Sequence, residues 1–173
     1  TMYSMRVAYE VTGNITFMDR LEHIAYNSLP AALWPDVTTN VYHHNSNQLA
    51  CPGAPYSYGL YFCCSANLHQ GWPKFVNAQV QVSTRTGRVV VSGFAPSASA
   101  LPAAVGGGTL VVGGSYPFAD GATITASAAT ELALRVPCWC EGATVTVAGG
   151  AAQAAPPCAF FNASLAAGGS LAI

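Results

Sequence analysis

Near residue 78 the spacing of apolar residues changes from a period of three to four to short β-branched runs broken by glycine and proline, and no single layer type accommodates both patterns. Before that point Met2, Met5, Ala8 and Tyr9 recur on one helical face, and Gly13 stands where a helix C-terminal glycine belongs. Thr16, with Asp19 three residues on, reads as a capping box with a shortened acid. Phe17, Leu21, Ile24, Ala25 and Leu29 then continue as one apolar stripe, closing near Trp34-Pro35. Two helices joined by so short a turn pack antiparallel, the unit of bundles and helical barrels. A further helical stretch is expected from Ser65, with Leu68, Trp72, Phe75 and Val76 on one face and Gly71 and Pro73 bending or interrupting it. The runs at 80–82, 88–91, 109–112, 123–125, 131–136 and 144–147 follow the pattern of an antiparallel β-sandwich, and the Ala/Gly-rich stretches 98–108 and 148–155 read as loops. The expected class is α+β, divided into a helical part, 1–78, and a β part, 79–173.

Composition removes several function classes. Hydrophobic residues make up 51% of the chain and charged residues 8%, so it has a core to bury and is not a disordered polyelectrolyte. A net charge of -1 with no basic run lacks the footprint needed to hold phosphate backbones, so no nucleic-acid partner is expected. The longest stretch without a full charge, 89–119, is broken by Pro96, Pro102 and Pro117 and cannot be one bilayer-spanning helix. Met2 opens directly into a helical pattern and Ser170-Leu171-Ala172-Ile173 reads as a strand starting, so the chain is expected to be a fragment of a longer protein. A signal peptide would lie upstream of Thr1, and the compartment is left open. The triplets Asn14-Ile15-Thr16 and Asn162-Ala163-Ser164 are compatible with glycosylation in a secreted parent.

Among chemistry-bearing residues the vicinal pair Cys63-Cys64 is the most unusual. One trans peptide holds neighbouring Cα atoms about 3.8 Å apart, below the span of about 4.4 to 6.8 Å that a disulfide prefers. The pair therefore reads as thiols or thiolates. With Ser65 as a helix N-cap, it lies at the positive helix end, where a thiolate can bind metal or act as a nucleophile; the alternative is packing as small hydrophobes. Cys138-Trp139-Cys140 has one-residue spacing, which in a strand places both thiols on one face, for sheet packing or a metal. Cys51 and Cys158 have no partner legible in the sequence. His43 and His44 would point to opposite faces of a strand, so at most one serves any single site. Glu10, Asp19 and Glu22 read as helix-surface or capping residues, with no acid–base pair among them, and no nucleotide-binding glycine loop is present. The polar, aromatic segment around Tyr42, His43, Tyr56 and Tyr61, with His69 and Trp72, suits a neutral, hydroxyl-rich ligand: aromatic faces stack on sugar C–H surfaces, and uncharged donors meet hydroxyls.

Tyr58-Gly59-Leu60-Tyr61-Phe62-Cys63-Cys64-Ser65-Ala66-Asn67-Leu68-His69-Gln70-Gly71-Trp72-Pro73-Lys74-Phe75 resembles the cysteine-pair segment of the β-L-arabinofuranosidase-like glycoside hydrolases, family 127 and its relatives. Upstream, Met2-Tyr3-Ser4-Met5 and Arg20-Leu21-Glu22-His23-Ile24-Ala25-Tyr26-Asn27-Ser28-Leu29-Pro30-Ala31 are similar to the late helices of that family's (α/α)6 barrel. Downstream, Tyr116-Pro117-Phe118 and Leu134-Arg135-Val136-Pro137-Cys138-Trp139 are similar to its following β-sandwich. The resemblance implies a retaining glycoside hydrolase with Cys63 as nucleophile, Cys63 and Cys64 as ligands of Zn2+, and an arabinofuranoside or related furanoside as substrate, toward which Tyr42, His43, His69 and Trp72 are expected to stand by their own chemistry. It further implies a Glu-x-Cys zinc motif and an acid/base glutamate, and no Glu-x-Cys occurs here. The expectation is that this chain alone neither holds zinc tightly nor turns over substrate. Two other readings stand beside it. One is a non-catalytic carbohydrate-binding protein using the aromatic loop and sandwich, and the other is a structural zinc or thiol-redox module.

Overall fold

The computed structural model describes residues 1–33, 40–41 and 63–173, apart from the side chains of Cys64 and Ser65. Helix α1 (Met2–Thr12) is capped by Thr1, whose hydroxyl accepts from the Ser4 amide, and ends at Gly13, where φ of 68° lets the amide close onto the Tyr9 carbonyl. Helix α2 (Ile15–His23) takes its N-cap from Asn14, not from the expected Thr16–Asp19 box. Asn14 Oδ1 accepts from the Thr16 amide at 3.0 Å, so Thr16 is inside the helix and Asp19 is released for other use. A π-helical turn (Ile24–Ser28) leads into α3 (Leu29–Ala31), the last helical residues of this stretch. The expected stop at Trp34-Pro35 lies outside the described residues.

Helix α4 (Cys63–Leu68) begins two residues before the expected Ser65 cap, which places the cysteine pair inside the first turn. Helix α5 (Gly71–Asn77) follows after His69 and Gln70, its Pro73 tolerated because the first-turn amides need no intrahelical acceptor. A Cβ at Gly71 would stand 2.9 Å from Leu29 and Met2 side-chain atoms, so only glycine lets this end of α5 close onto them without displacement. Met18, Leu21, Ala25 and Leu29 form the buried stripe, joined by Met2, Tyr9, Phe75 and Ala78 in one helical core.

Among the described residues ten strands make two sheets. The first contains β1 (Val80–Val82), β2 (Val89–Val91), β6 (Thr130–Val136) and β9 (Ala159–Leu165), in the order β1-β2-β6-β9. The second contains β3 (Ser97–Ala100), β4 (Thr109–Gly113), β5 (Thr123–Ala126), β7 (Thr144–Val147), β8 (Gln153–Ala154) and β10 (Ser170–Ala172), in the order β3-β4-β5-β10-β7-β8. All pairings are antiparallel except β2 with β6, which corrects the expectation of an antiparallel arrangement throughout. The reason is topological: β3, β4 and β5 of the other sheet intervene in sequence, and only such a long crossover returns the chain in the same direction. Strands β3 and β8 occupy stretches expected to be loops, because Ser/Ala and Gln/Ala runs pair through the backbone with little side-chain signal.

Both sheets feed one apolar core, in which Val89, Val91, Leu132, Leu134 and Val136 meet Leu110, Val112, Ile124, Val145 and Leu171. Each such side chain contributes about 1.5 to 3 kcal/mol on burial. Strand β6 is buried at almost every position because its two faces meet different partners. Leu132, Leu134 and Val136 belong to the inter-sheet core, which leaves Ala133 and Arg135 on the opposite face. On neighbouring β9, Phe161 joins the inter-sheet core while Phe160 joins the helical one. The first sheet is thus a middle layer between helices and second sheet. Fully buried Gln79 stitches the helix-to-strand passage: its carbonyl accepts from Ser92 at 2.7 Å, and its Oε1 accepts from the Ala95 amide at 3.2 Å.

Candidate functional site

Cys63 is the first residue of α4 and is exposed, and its carbonyl accepts from Asn67 Nδ2 at 2.6 Å. Cys64 follows in the same turn. His69 is exposed in the turn after α4, and Trp72 on α5 keeps 40% of its surface accessible. Tyr42 and His43 lie outside the described residues. Among the described residues no group of three or more His, Cys, Asp or Glu side chains is placed to hold a metal ion.

A second constellation went unread in the sequence. Arg135 is fully buried on the helix-facing side of β6, and α2 supplies both of its counter-charges. Nη2 donates to Asp19 Oδ1 and, at 2.7 Å, to Glu22 Oε2; Nε reaches Asp19 Oδ1 at 3.2 Å, and Nη1 donates to the Ser92 carbonyl at 2.6 Å. Ser92 also exchanges a 2.6 Å hydrogen bond with the Tyr9 hydroxyl. Asp19 Oδ2 accepts from the Cys138 amide at 3.1 Å, tying the turn that carries Trp139 to α2. Asp19 and Glu22 are therefore neither a cap nor a solvated face. One helical turn apart, they present two carboxylates to one side, and the alternation along β6 brings Arg135 to meet them. Burial by itself lowers the Arg135 pKa, but Glu22 and then Asp19 reverse that, and its proton is held more tightly than usual.

Cys138-Trp139-Cys140 is a turn, not the expected strand, because Pro137 ends β6. Its first cysteine bonds to Cys158 across 20 residues, and Cys140 remains a thiol. One cysteine of the pair is thus covalently engaged, which removes the expectation of two thiols sharing a strand face.

Above this junction the rings of Tyr26, Trp72, Phe75 and Tyr116 meet edge to face. The centroid separations are 6.3 Å for Tyr26–Trp72, 5.3 Å for Tyr26–Phe75 and 5.7 Å for Tyr26–Tyr116. The π-helical turn supplies Tyr26. Burial, and behind it the Glu22 charge, pushes the Tyr26 phenol up to about 12 and raises Tyr116 as well. Between α2 with its π turn and the Tyr116-Pro117 and Trp139 turns lies a groove of about 550 Å³.

No protein-family model matches the sequence, and no curated protein does. Solved structures do share its fold. A protein described as a glycoside hydrolase superposes with a TM-score of 0.80 at 20% identity, covering 99% of this chain and 30% of that one. A family 127 β-L-arabinofuranosidase from Geobacillus stearothermophilus T6 gives 0.75 at 15% identity, covering 99% and 29%. A further family 127 β-arabinofuranosidase gives 0.75 at 17% identity, covering 99% and 30%. The fold of this chain is thus the fold of a segment of those enzymes, about 30% of their length.

Proposed function

We propose that this chain is the nucleophile-bearing segment of a longer, retaining glycoside hydrolase of the β-L-arabinofuranosidase-like type. In this reading its helices close an (α/α)6 barrel over 1–78 and its strands form the sandwich that follows, over 79–173. The observation that carries the reading is the conjunction of two independent features. The fold agrees over 99% of the chain with those hydrolases, and a vicinal cysteine pair opens a helix in it. Cys63 attacks the anomeric carbon as thiolate; its lone pair forms the C–S bond while the C–O bond breaks toward the leaving oxygen, which takes a proton from a glutamic acid outside this chain. Water then attacks the same carbon, the C–S bond returns its electrons to sulfur, and the glutamate receives the water's proton, so configuration is retained. Cys63 and Cys64 would hold zinc together with ligands from the rest of the protein. When bound, the metal keeps both thiols deprotonated at neutral pH. Trp72, beside Tyr26, and His69 stand toward the sugar, with Tyr42 and His43 in the same role. The substrate is an arabinofuranoside or related furanoside.

The test is intact-mass and peptide mapping of the longer protein after treatment with a furanoside inactivator that traps the glycosyl-enzyme. The label is expected on Cys63, and the Cys63→Ala variant should lose turnover by orders of magnitude while still binding sugar. Label on another residue, or full activity in the variant, rejects the reading. The aromatic cluster around Tyr26 supports a second reading, carbohydrate binding without turnover, under which the Cys63 variant behaves as wild type.

A further inference from the structure

The second of the two glycosylation triplets, Asn162-Ala163-Ser164, falls on β9, an edge strand of the first sheet among the described residues. Side chains two apart on a strand share a face. Phe161 and Ala163 pack on the inter-sheet core, so Phe160, Asn162 and Ser164 stand together on the helix-facing side, with Asn162 opposite Ala133 and Phe160 opposite Arg135 on β6. Asn162 and Ser164 are exposed, and the Asn162 side chain makes no hydrogen bond among the described residues. Phe160 packs against the helical core and also lines, with Asn162, a groove of about 1090 Å³. This groove crosses the first sheet over Ala133 and Val90, beside the C-terminal end of α1, so its floor is apolar. In the other triplet Asn14 uses its oxygen to cap α2, and Thr12, two residues before it, offers no ring.

N-linked transfer acts on the unfolded chain, so the folded state decides whether the linked sugar has room and what it touches. At Asn162 it has room. The strand repeat places the Phe160 and Asn162 side chains about 7 Å apart on one face. A sugar linked to the amide can therefore lay its C–H face on the Phe160 ring while its hydroxyls stay in water. The Cys138–Cys158 bridge is of the kind made in oxidising compartments, where this transfer takes place. An edge strand also exposes a row of unpaired backbone groups, and a bulky solvated substituent on it hinders pairing with another chain. We propose that Asn162 is an N-glycosylation site, its first N-acetylglucosamine seated on Phe160 in the groove across the first sheet. In the transfer, Asn162 Nδ2 bonds to C1 of the sugar as the C1–O bond to a lipid-linked diphosphate breaks. The electron pair leaves with the diphosphate, and Nδ2 gives up one proton to the transferase. The site stands whether or not Cys63 is a nucleophile.

The test sends the whole 173-residue chain, carrying Thr16→Ala to remove the other triplet, through the secretory pathway of a yeast host behind a cleavable signal peptide. Peptide mapping after enzymatic deglycosylation in heavy-oxygen water is expected to find labelled aspartate at position 162; if the chain stays in the endoplasmic reticulum, the same peptide is read there. The protein trimmed to a single N-acetylglucosamine should show a urea midpoint about 0.5 M above that of the Asn162→Gln chain. Phe160→Leu keeps apolar bulk but removes the ring face, and should abolish that difference. Should Phe160→Leu fail to fold, nuclear Overhauser contacts between the Phe160 ring and the sugar decide in its place, their absence counting against the site. An unoccupied Asn162, a midpoint unchanged or lowered by the sugar, or a gain that survives Phe160→Leu overturns the proposal.

Discussion

Replacing Arg135 by methionine leaves Asp19 and Glu22 facing each other in a buried site with no counter-charge, and the expected loss is about 3 to 5 kcal/mol. The urea midpoint reports it, and adding Asp19→Asn and Glu22→Gln to the same variant should restore part of the loss, because the uncompensated charge is then gone. A second residue-scale expectation concerns pH. The folded pKa of Tyr26, about 12, lies above the ordinary value of 10.0, so burial favours the protonated phenol. Its contribution to stability is complete below pH 10 and is lost as pH rises from 10 to about 12, where the folded phenol ionises as well. Tyr116 and Tyr9 shift in the same direction. Phenolate absorbance in the folded protein should therefore include a late phase that Tyr26→Phe diminishes, while the circular dichroism signal falls in the same alkaline window; a titration complete near pH 10 contradicts this. The cysteine pair was legible at this scale because adjacency is visible in a string. The Arg135 cluster was not, since its members are more than a hundred positions apart and each carboxylate, read locally, has an ordinary place on a helix.

At the scale of elements, the caps are local and their effects should be too. Asn14→Ala removes the acceptor for the Thr16 amide and is expected to cost about 1 kcal/mol, measured as a shift in melting temperature, whereas Thr16→Ala should cost less because Thr16 is not the cap. The reverse order would reinstate the Thr16–Asp19 box. Helix α1 and strands β1, β2, β4, β5, β6 and β7 were readable, because period and β-branching are properties of short windows, while the expected stripe from Phe17 to Leu29 was readable in part: Leu21, Ala25 and Leu29 are buried, but Phe17 and Ile24 are only partly covered and Met18 is buried. Strands β3 and β8 have no such signal, and the π-helical turn at Ile24–Ser28 has none either. That turn places Tyr26 among Trp72, Phe75 and Tyr116, an arrangement fixed by packing between elements distant in sequence.

For the whole molecule, the Cys138–Cys158 bridge closes a loop of 20 residues around β7 and β8, and its removal should lower stability by about 3 kcal/mol. Urea unfolding with and without reductant measures it, and a midpoint insensitive to reduction contradicts the expectation. Among the described residues no helix is long and apolar enough to cross a membrane. Strand β6 of the first sheet contributes to the inter-sheet core on one face and meets the helices through Arg135 on the other, so the helical layer and the second sheet are held by one strand set and should unfold together. The sequence by itself determined the α+β class, the change from helices to strands near residue 78 and the position of the adjacent cysteines, because these depend on period, composition and adjacency within a few residues. Only the tertiary structure decided the parallel β2–β6 pairing, the partner of Cys138 and the meeting of Arg135 with Asp19 and Glu22. Those depend on which distant faces come together, and pairing through backbone groups or through a buried charge leaves no periodic trace along the chain.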